Sequence, residues 1–297
     1  MEDSNGKSMQ DLYAAIIDYY LEMYPDLSET ASSRFFDYVE PRDGLTDEEF
    51  ERIVGLMNEW FVFDFKLPSD LTPLQEYLRD NPESLDEVDL SRLEEADSTN
   101  FSTDFWLLDA KTDEGILVLE PFHEAIEYQV ADRLASKEMA GLRGAIGLRL
   151  VRIDNQWQPA GTGIYFAQTN PTQELKDMVR ESDEVEPLPF IDLVKENYGP
   201  NSDVSNSNNG TAGYGQTETN PELVRMEYEA ICAKTGVKVP WQTLSTAVYE
   251  ATPDDSPYHM FKEIFAEGLP DRATFFTLFD ILIRAWNVLP KRMDGKL

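Results

Sequence analysis

Near Phe101 the hydrophobic period of this chain changes, and that change constrains its fold more than any other feature. Before it, Met9, Leu12, Tyr13, Ile16, Ile17 and Tyr20 recur at steps of three and four, the spacing of one helix face. After it, Ile126, Tyr128 and Val130 alternate with Glu127 and Gln129, the spacing of a strand with one wet face. Short apolar runs at 101–108, 116–119, 145–153 and 163–166 are divided by turn signals at Lys111 to Gly115, at Asp154-Asn155 and at Gly161. Strands of that length and spacing predict a small antiparallel sheet or barrel. Because the two periods occupy separate stretches, the fold class is α+β, with an N-terminal helical bundle ahead of the sheet.

Start and stop signals divide the helical stretches. Pro25 ends the first helix, and a short second one is expected through 34–39, stopping before Pro41. Thr46 with Glu49 and Thr72 with Gln75 read as capping boxes, the second with Pro73 at the first helical position. Ser84 with Glu87 reads as a third. Trp60, Phe61, Phe63 and Phe65 are expected at the centre of the bundle.

Beyond the sheet, helices are expected at 172–180 and 190–198. The stretch NSDVSNSNNGTAGYGQTETN then has no apolar period, and it reads as a flexible linker over 200–220. Asn220 and Pro221 open a further helix that stops at Gly236, with Leu223, Met226, Ala230 and Ile231 on its apolar side. Helices at 240–251, 257–267 and 273–289 complete an all-helical C-terminal unit. The division is therefore 1–97 helical, 98–199 β-rich and packed with it, 200–220 linker, and 221–297 helical.

Charge narrows the partners. The 297 residues carry 57 Asp and Glu against 25 Lys and Arg, a net of −32, of which −19 falls in residues 1–100. Such a field repels phosphate backbones and anionic lipid, so nucleic-acid and membrane-surface binding are not expected, whereas a basic protein partner is favoured. Acids spread over helix faces also serve solubility alone. Cys232 is the only cysteine, which rules out an internal disulfide and a cysteine-built zinc site. The opening MEDSNGKSMQ has neither a basic nor an apolar region, and no apolar run reaches membrane length; a cytoplasmic location is expected.

Catalytic signatures are missing. His123 and His259 each lack a second histidine or cysteine at ligand spacing, and no G-x-S-x-G elbow occurs. Asp64, Asp104 and Asp109 interrupt apolar runs; each is expected to serve a cap or turn hydrogen bond. Gly141, Gly144 and Gly147 superficially resemble a phosphate loop, but no Lys-Ser/Thr follows and the continuation is strand-like. Around them lies the one basic island, Arg143, Arg149 and Arg152, readable as an anion or partner site or as arginines paired on a wet face. No cofactor or metal site is expected.

The run Glu59-Trp60-Phe61-Val62-Phe63-Asp64-Phe65-Lys66-Leu67, followed by Leu71-Thr72-Pro73-Leu74-Gln75-Glu76-Tyr77-Leu78, resembles a W-F-x-F-D segment and helix start of a group of uncharacterised bacterial proteins. The β-rich stretch with Arg149 and Trp157, and the ending with Trp286, Asn287, Pro290, Gly295 and Lys296, are similar to the same group. Some of its members add a cysteine-rich, zinc-binding tail of the SEC-C type; with Cys232 alone, that role does not carry over. The resemblance implies structural motifs and no assigned reaction. Together these features point to a non-enzymatic interaction or regulatory module. An acidic nucleic-acid mimic and a hydrolase or nuclease using a carboxylate-bound divalent metal remain as alternatives.

Overall fold

The computed structural model describes residues 9–181, 187–200, 221–251, 257–266 and 272–289. Among them, five helices come first: α1 (Met9–Met23), α2 (Pro25–Val39), α3 (Asp47–Phe63), α4 (Pro73–Asp80) and α5 (Glu87–Thr99). Leu12, Ile16 and Tyr20 form the buried stripe of α1. Pro25 ends α1 and also opens α2, because its missing N–H would have no partner at a helix start. The second helix is thus longer than its sequence suggested: Ala31, Phe35 and Val39 are its buried positions, and the polar residues between them hid the first turns.

Two of the three expected capping boxes form. Thr46 Oγ1 accepts from the Glu49 N–H at 3.2 Å while the Glu49 carboxylate accepts from the Thr46 N–H at 2.9 Å. Thr72 and Gln75 repeat the exchange at 3.2 and 3.1 Å. The third box does not form. Asp86 caps α5 instead, accepting from the Val88 and Asp89 N–H groups, while Ser84 sits outside the helix at φ 54.

The middle of the chain folds into strands β1 (Phe101–Lys111), β2 (Ile116–Pro121), β3 (Tyr128–Ala131), β4 (Gly144–Ile153), β5 (Gln156–Pro159) and β6 (Tyr165–Gln168), with the short α6 (Arg133–Glu138) between β3 and β4. β1 pairs antiparallel with both β2 and β4, β2 with β3, and β4 with β5. A parallel contact between β3 and β5, Val130 opposite Trp157, closes the ring. The result is a mixed five-stranded barrel, where the sequence suggested antiparallel pairing throughout. β6 continues the side of β4 that β5 occupies, pairing with its Gly144 to Gly147 end. Asp154 and Asn155, both at positive φ (51° and 61°), make the tight β4–β5 hairpin turn.

Leu107, Leu117, Leu119, Val130, Ile146 and Leu148 cluster together in the barrel. The other face of β1 and β4 does not meet water; Trp106, Ala145 and Val151 pack into clusters with the surrounding helices. Buried on both faces, β4 reads as a continuous apolar run and not as an alternation. Its glycines serve close approach. A Cβ on Gly147 would lie 2.6 Å from the Tyr165 ring, and one on Gly144 would lie 2.3 Å from the Ala167 carbonyl oxygen. Gly147→Ala is therefore expected to cost about 1–3 kcal/mol of stability by overpacking, measured by urea unfolding.

Helices α7 (Gln173–Glu181) and α8 (Phe190–Tyr198) follow, then α9 (Pro221–Thr235), α10 (Trp241–Glu250), α11 (Pro257–Ile264) and α12 (Arg272–Val288). α12 lies against α9, β6 and α8. Val224, Tyr228, Leu244 and Leu282 share one apolar cluster with Tyr165, Val194 and Phe35. The buried side of α9 is Val224, Tyr228 and Thr235, with Leu223 and Met226 exposed at 44% and 59%. Of the stripe expected for α9, Ile231 packs against the apolar cluster, while Leu223, Met226 and Ala230 face outward. The 201–220 stretch read as a linker, the Asn220 cap and Pro290 lie outside the described residues.

Candidate functional site

Residue parity along β4 decides where the basic island goes. Arg149 shares the outward face with Ala145, Gly147 and Val151, the face covered by helices. Its side chain is 3% exposed. Arg152, three residues on, falls on the opposite face, where it pairs with Glu95 at 2.8 Å and lies over the Trp157 ring. Arg143 precedes the strand and is exposed. The three arginines therefore do not share a surface.

What Arg149 meets instead is the aromatic segment at the end of α3. Its Nε–H donates to Glu59 Oε1 at 3.0 Å, one Nη donates to Asn100 Oδ1 at 2.9 Å, and the other donates to the Asp64 carboxylate. The guanidinium plane sits between two rings, 4.8 Å from the centre of Phe63 and 4.7 Å from that of Phe190. A planar, delocalised cation suits such a slot, because it stacks on both faces while its edge donates in plane. One residue thus ties together α3, the α5–β1 junction, β4 and α8.

The W-F-x-F-D segment acquires a physical reading from this. Phe61 packs on Tyr20 and Phe65, Phe63 stacks on the arginine, and Asp64, at the C-terminal cap of α3, pairs with it. Trp60 is partly buried against Phe35 and Phe65. Asp64 was expected to take a local backbone bond; its partner is the distant Arg149. Asp104 is buried and accepts from the Tyr165 hydroxyl at 2.7 Å, whereas Asp109 is exposed and accepts from the adjacent Ala110 N–H.

Electrostatics at the cluster follow from burial. Desolvation pushes the Glu59 carboxyl up to about 7, against the pull of Arg149. Asp64 is raised for the same reason and is likewise opposed by Arg149. Burial also raises the Tyr13 hydroxyl well above its ordinary range, with Glu59 adding to the effect. Arg149 and Glu59 are both buried, and Asp64 is the member of the cluster that reaches the surface.

Comparison with protein-family models, curated proteins and solved structures finds no match. Function is therefore argued from this chain's own geometry.

Sequence reasoning missed a second buried ionic tie. Glu120 on β2 accepts from Lys176 at 2.9 Å and from Arg180 at 2.6 Å, fastening α7 to the barrel. The signal was present, since Lys176 and Arg180 are one turn apart on a helix and Glu120 ends an apolar strand. Arg92 on α5 likewise grips Asp154 of the β4–β5 turn, at 3.0 and 2.7 Å. Of the remaining residues singled out, His123 is partly buried after Phe122, and His259 lies on α11. Trp286 packs partly buried on α12, which also carries Asn287. Among the described residues no three His, Cys, Asp or Glu side chains converge as a metal site, and no helix is long and apolar enough to cross a membrane.

Proposed function

We propose that this protein is a non-enzymatic interaction module of the cytoplasm that holds a basic protein partner on its N-terminal helical hairpin. One observation carries the reading. α1 and α2 expose six carboxylates, Asp11, Asp18, Glu22, Asp26, Glu29 and Asp37, while their one base, Arg34, lies over the Phe65 ring. At the turn between the helices Leu21, Met23 and Tyr24 are exposed at 53%, 61% and 45%. Single exposed apolar residues are ordinary, but three within four positions, ringed by acids, make a contact surface of defined chemistry. The acids steer a cationic partner and reject phosphate backbones, and the apolar tip supplies contact area that salt does not screen.

Arg42, Arg92, Arg149, Lys176 and Arg180 spend their charge in buried or half-buried pairs, and 57 acids outnumber the 25 bases of the whole chain, so the outer field stays negative. The buried carboxylates Glu59, Asp104 and Glu120 already accept from protein donors, and a metal-dependent hydrolase gains no support from them.

Affinity capture from lysate tests the reading, using the full chain beside a variant with Asp18, Glu22 and Asp26 changed to Lys. The wild type is expected to retain a protein of basic isoelectric point, to release it as salt is raised, and to lose it on charge reversal. Equal capture by both proteins, or capture of acidic proteins only, overturns the proposal. Displacement of the captured protein by duplex DNA would mark the hairpin as a nucleic-acid mimic.

A further inference from the structure

The Arg149 cluster does not balance in charge. One guanidinium faces two carboxylates, Glu59 and Asp64, in a wall where Glu59 has 4% of its side chain exposed and Asp64 has 34%. A buried group without compensation neutralises itself in preference to carrying charge, whereas a group that still reaches water stays ionised. Asp64 is the group that reaches water.

The hydrogen bonds of Glu59 point the same way. Its Oε1 accepts from Arg149, but its Oε2 is fully buried and has no hydrogen-bond partner. Gly161 seals that oxygen, because a Cβ there would come within 2.3 Å of it. On the α1 side the Tyr13 hydroxyl is also buried and has no hydrogen-bond partner. A bare carboxylate oxygen in such a place is costly, while a protonated one is a neutral hydroxyl.

We infer that Glu59 is a proton-operated latch: its Oε2 carries a proton while α1 is packed against α3, and loss of that proton loosens α1. The groups facing Glu59 are Arg149 from β4, Asp64 from α3 and Tyr13 from α1; Lys66 acts on Asp64 from outside. Asn100 and Phe190 complete the ring around Arg149 without titrating. Ionising Glu59 puts a net negative charge behind α1, and that charge is relieved only by admitting water between α1 and α3.

The direction is fixed by linkage. The Glu59 carboxyl stands at about 7 in the folded chain, above its ordinary 4.5, so the folded state binds the extra proton between those values. Stability conferred at acidic pH is consequently lost as the pH rises through neutrality. The latch stands apart from the partner proposed above, since it operates in the chain alone.

The test compares the full-length wild type with Glu59→Gln, which keeps the neutral shape at every pH. Thermal midpoints are taken from about pH 4.5 to about pH 8, the span that covers the window between the two values. The wild-type midpoint is expected to fall across the span, and Glu59→Gln to hold nearly level and exceed the wild type at the alkaline end. Slope from groups outside the cluster is common to both proteins and cancels in the difference. Infrared spectra of the wild type supply a readout independent of the variant: the carbonyl band of a buried carboxylic acid should be present at the acidic end and absent at the alkaline end. Parallel midpoint curves, or no such band at the acidic end, would overturn the latch.

Discussion

Arg149→Met is expected to cost about 3–5 kcal/mol of folding free energy, the range for removing one partner of a buried ion pair. Methionine fills most of the slot between Phe63 and Phe190, so the loss is electrostatic and not chiefly one of volume. It strands three acceptors at once, on Glu59, Asn100 and Asp64. Lysine is not a rescue: a point charge cannot donate along three directions in one plane or stack on two rings. Adding Asp64→Asn to Arg149→Met should recover part of the loss, because the carboxylate that holds its charge is then gone. Urea unfolding of the single and double variants measures both effects, and the double-mutant cycle gives the coupling. A cost below about 1 kcal/mol for Arg149→Met would show that the cluster does not fasten the helices to the barrel.

How much of this cluster was legible in the sequence depends on range. Thr46 with Glu49, and Thr72 with Gln75, are contacts between residues three apart, and both were read correctly. The switch to strand near Phe101 was equally plain, because alternation is a local pattern. Parity also held a clue: Arg149 and Arg152 differ by an odd number, so one strand cannot show both on one face. Pairing of Arg149 with Asp64 and Glu59 was not legible, since it depends on which helix covers which face of the barrel.

The failures have the same origin. Leu223 and Val224 can each start a stripe at helical spacing, and only the docking of α9 on α12 decides that Val224 is buried. Four-residue β5 is too short for a period to register. Closure of the barrel rests on one parallel contact between β3 and β5, which no turn signal announces. The spacing of the glycines at 144 and 147 is visible in the sequence and was rightly not read as a phosphate loop, but the Tyr165 ring and Ala167 carbonyl they accommodate are not visible there.

Trp106→Ala should be as damaging as loss of Arg149, by a different route. Trp106 lies on the outward face of β1, fully buried, with its ring 4.1 Å from that of Phe122 and nearly parallel to it. It belongs to the apolar cluster in which Phe35 of α2, Ile53 of α3, Val179 of α7 and Phe190 of α8 come together on the barrel. Truncating a buried tryptophan to alanine costs about 3–5 kcal/mol, because side chains held by four elements cannot collapse into the space. Trp157 supplies the control: it packs only partly buried against Phe101 and Tyr128, so Trp157→Ala is expected to cost about 1–2 kcal/mol. Equilibrium unfolding in urea ranks the two, and amide exchange locates the damage. For Trp106→Ala, protection should fall first in α7 and α8 while β1 and β4 stay protected, since the barrel keeps its own interior of Leu107, Leu117, Ile146 and Leu148. Equal loss of protection in strands and helices would mean that barrel and helices unfold as one unit, with Trp106 an ordinary member of a single core.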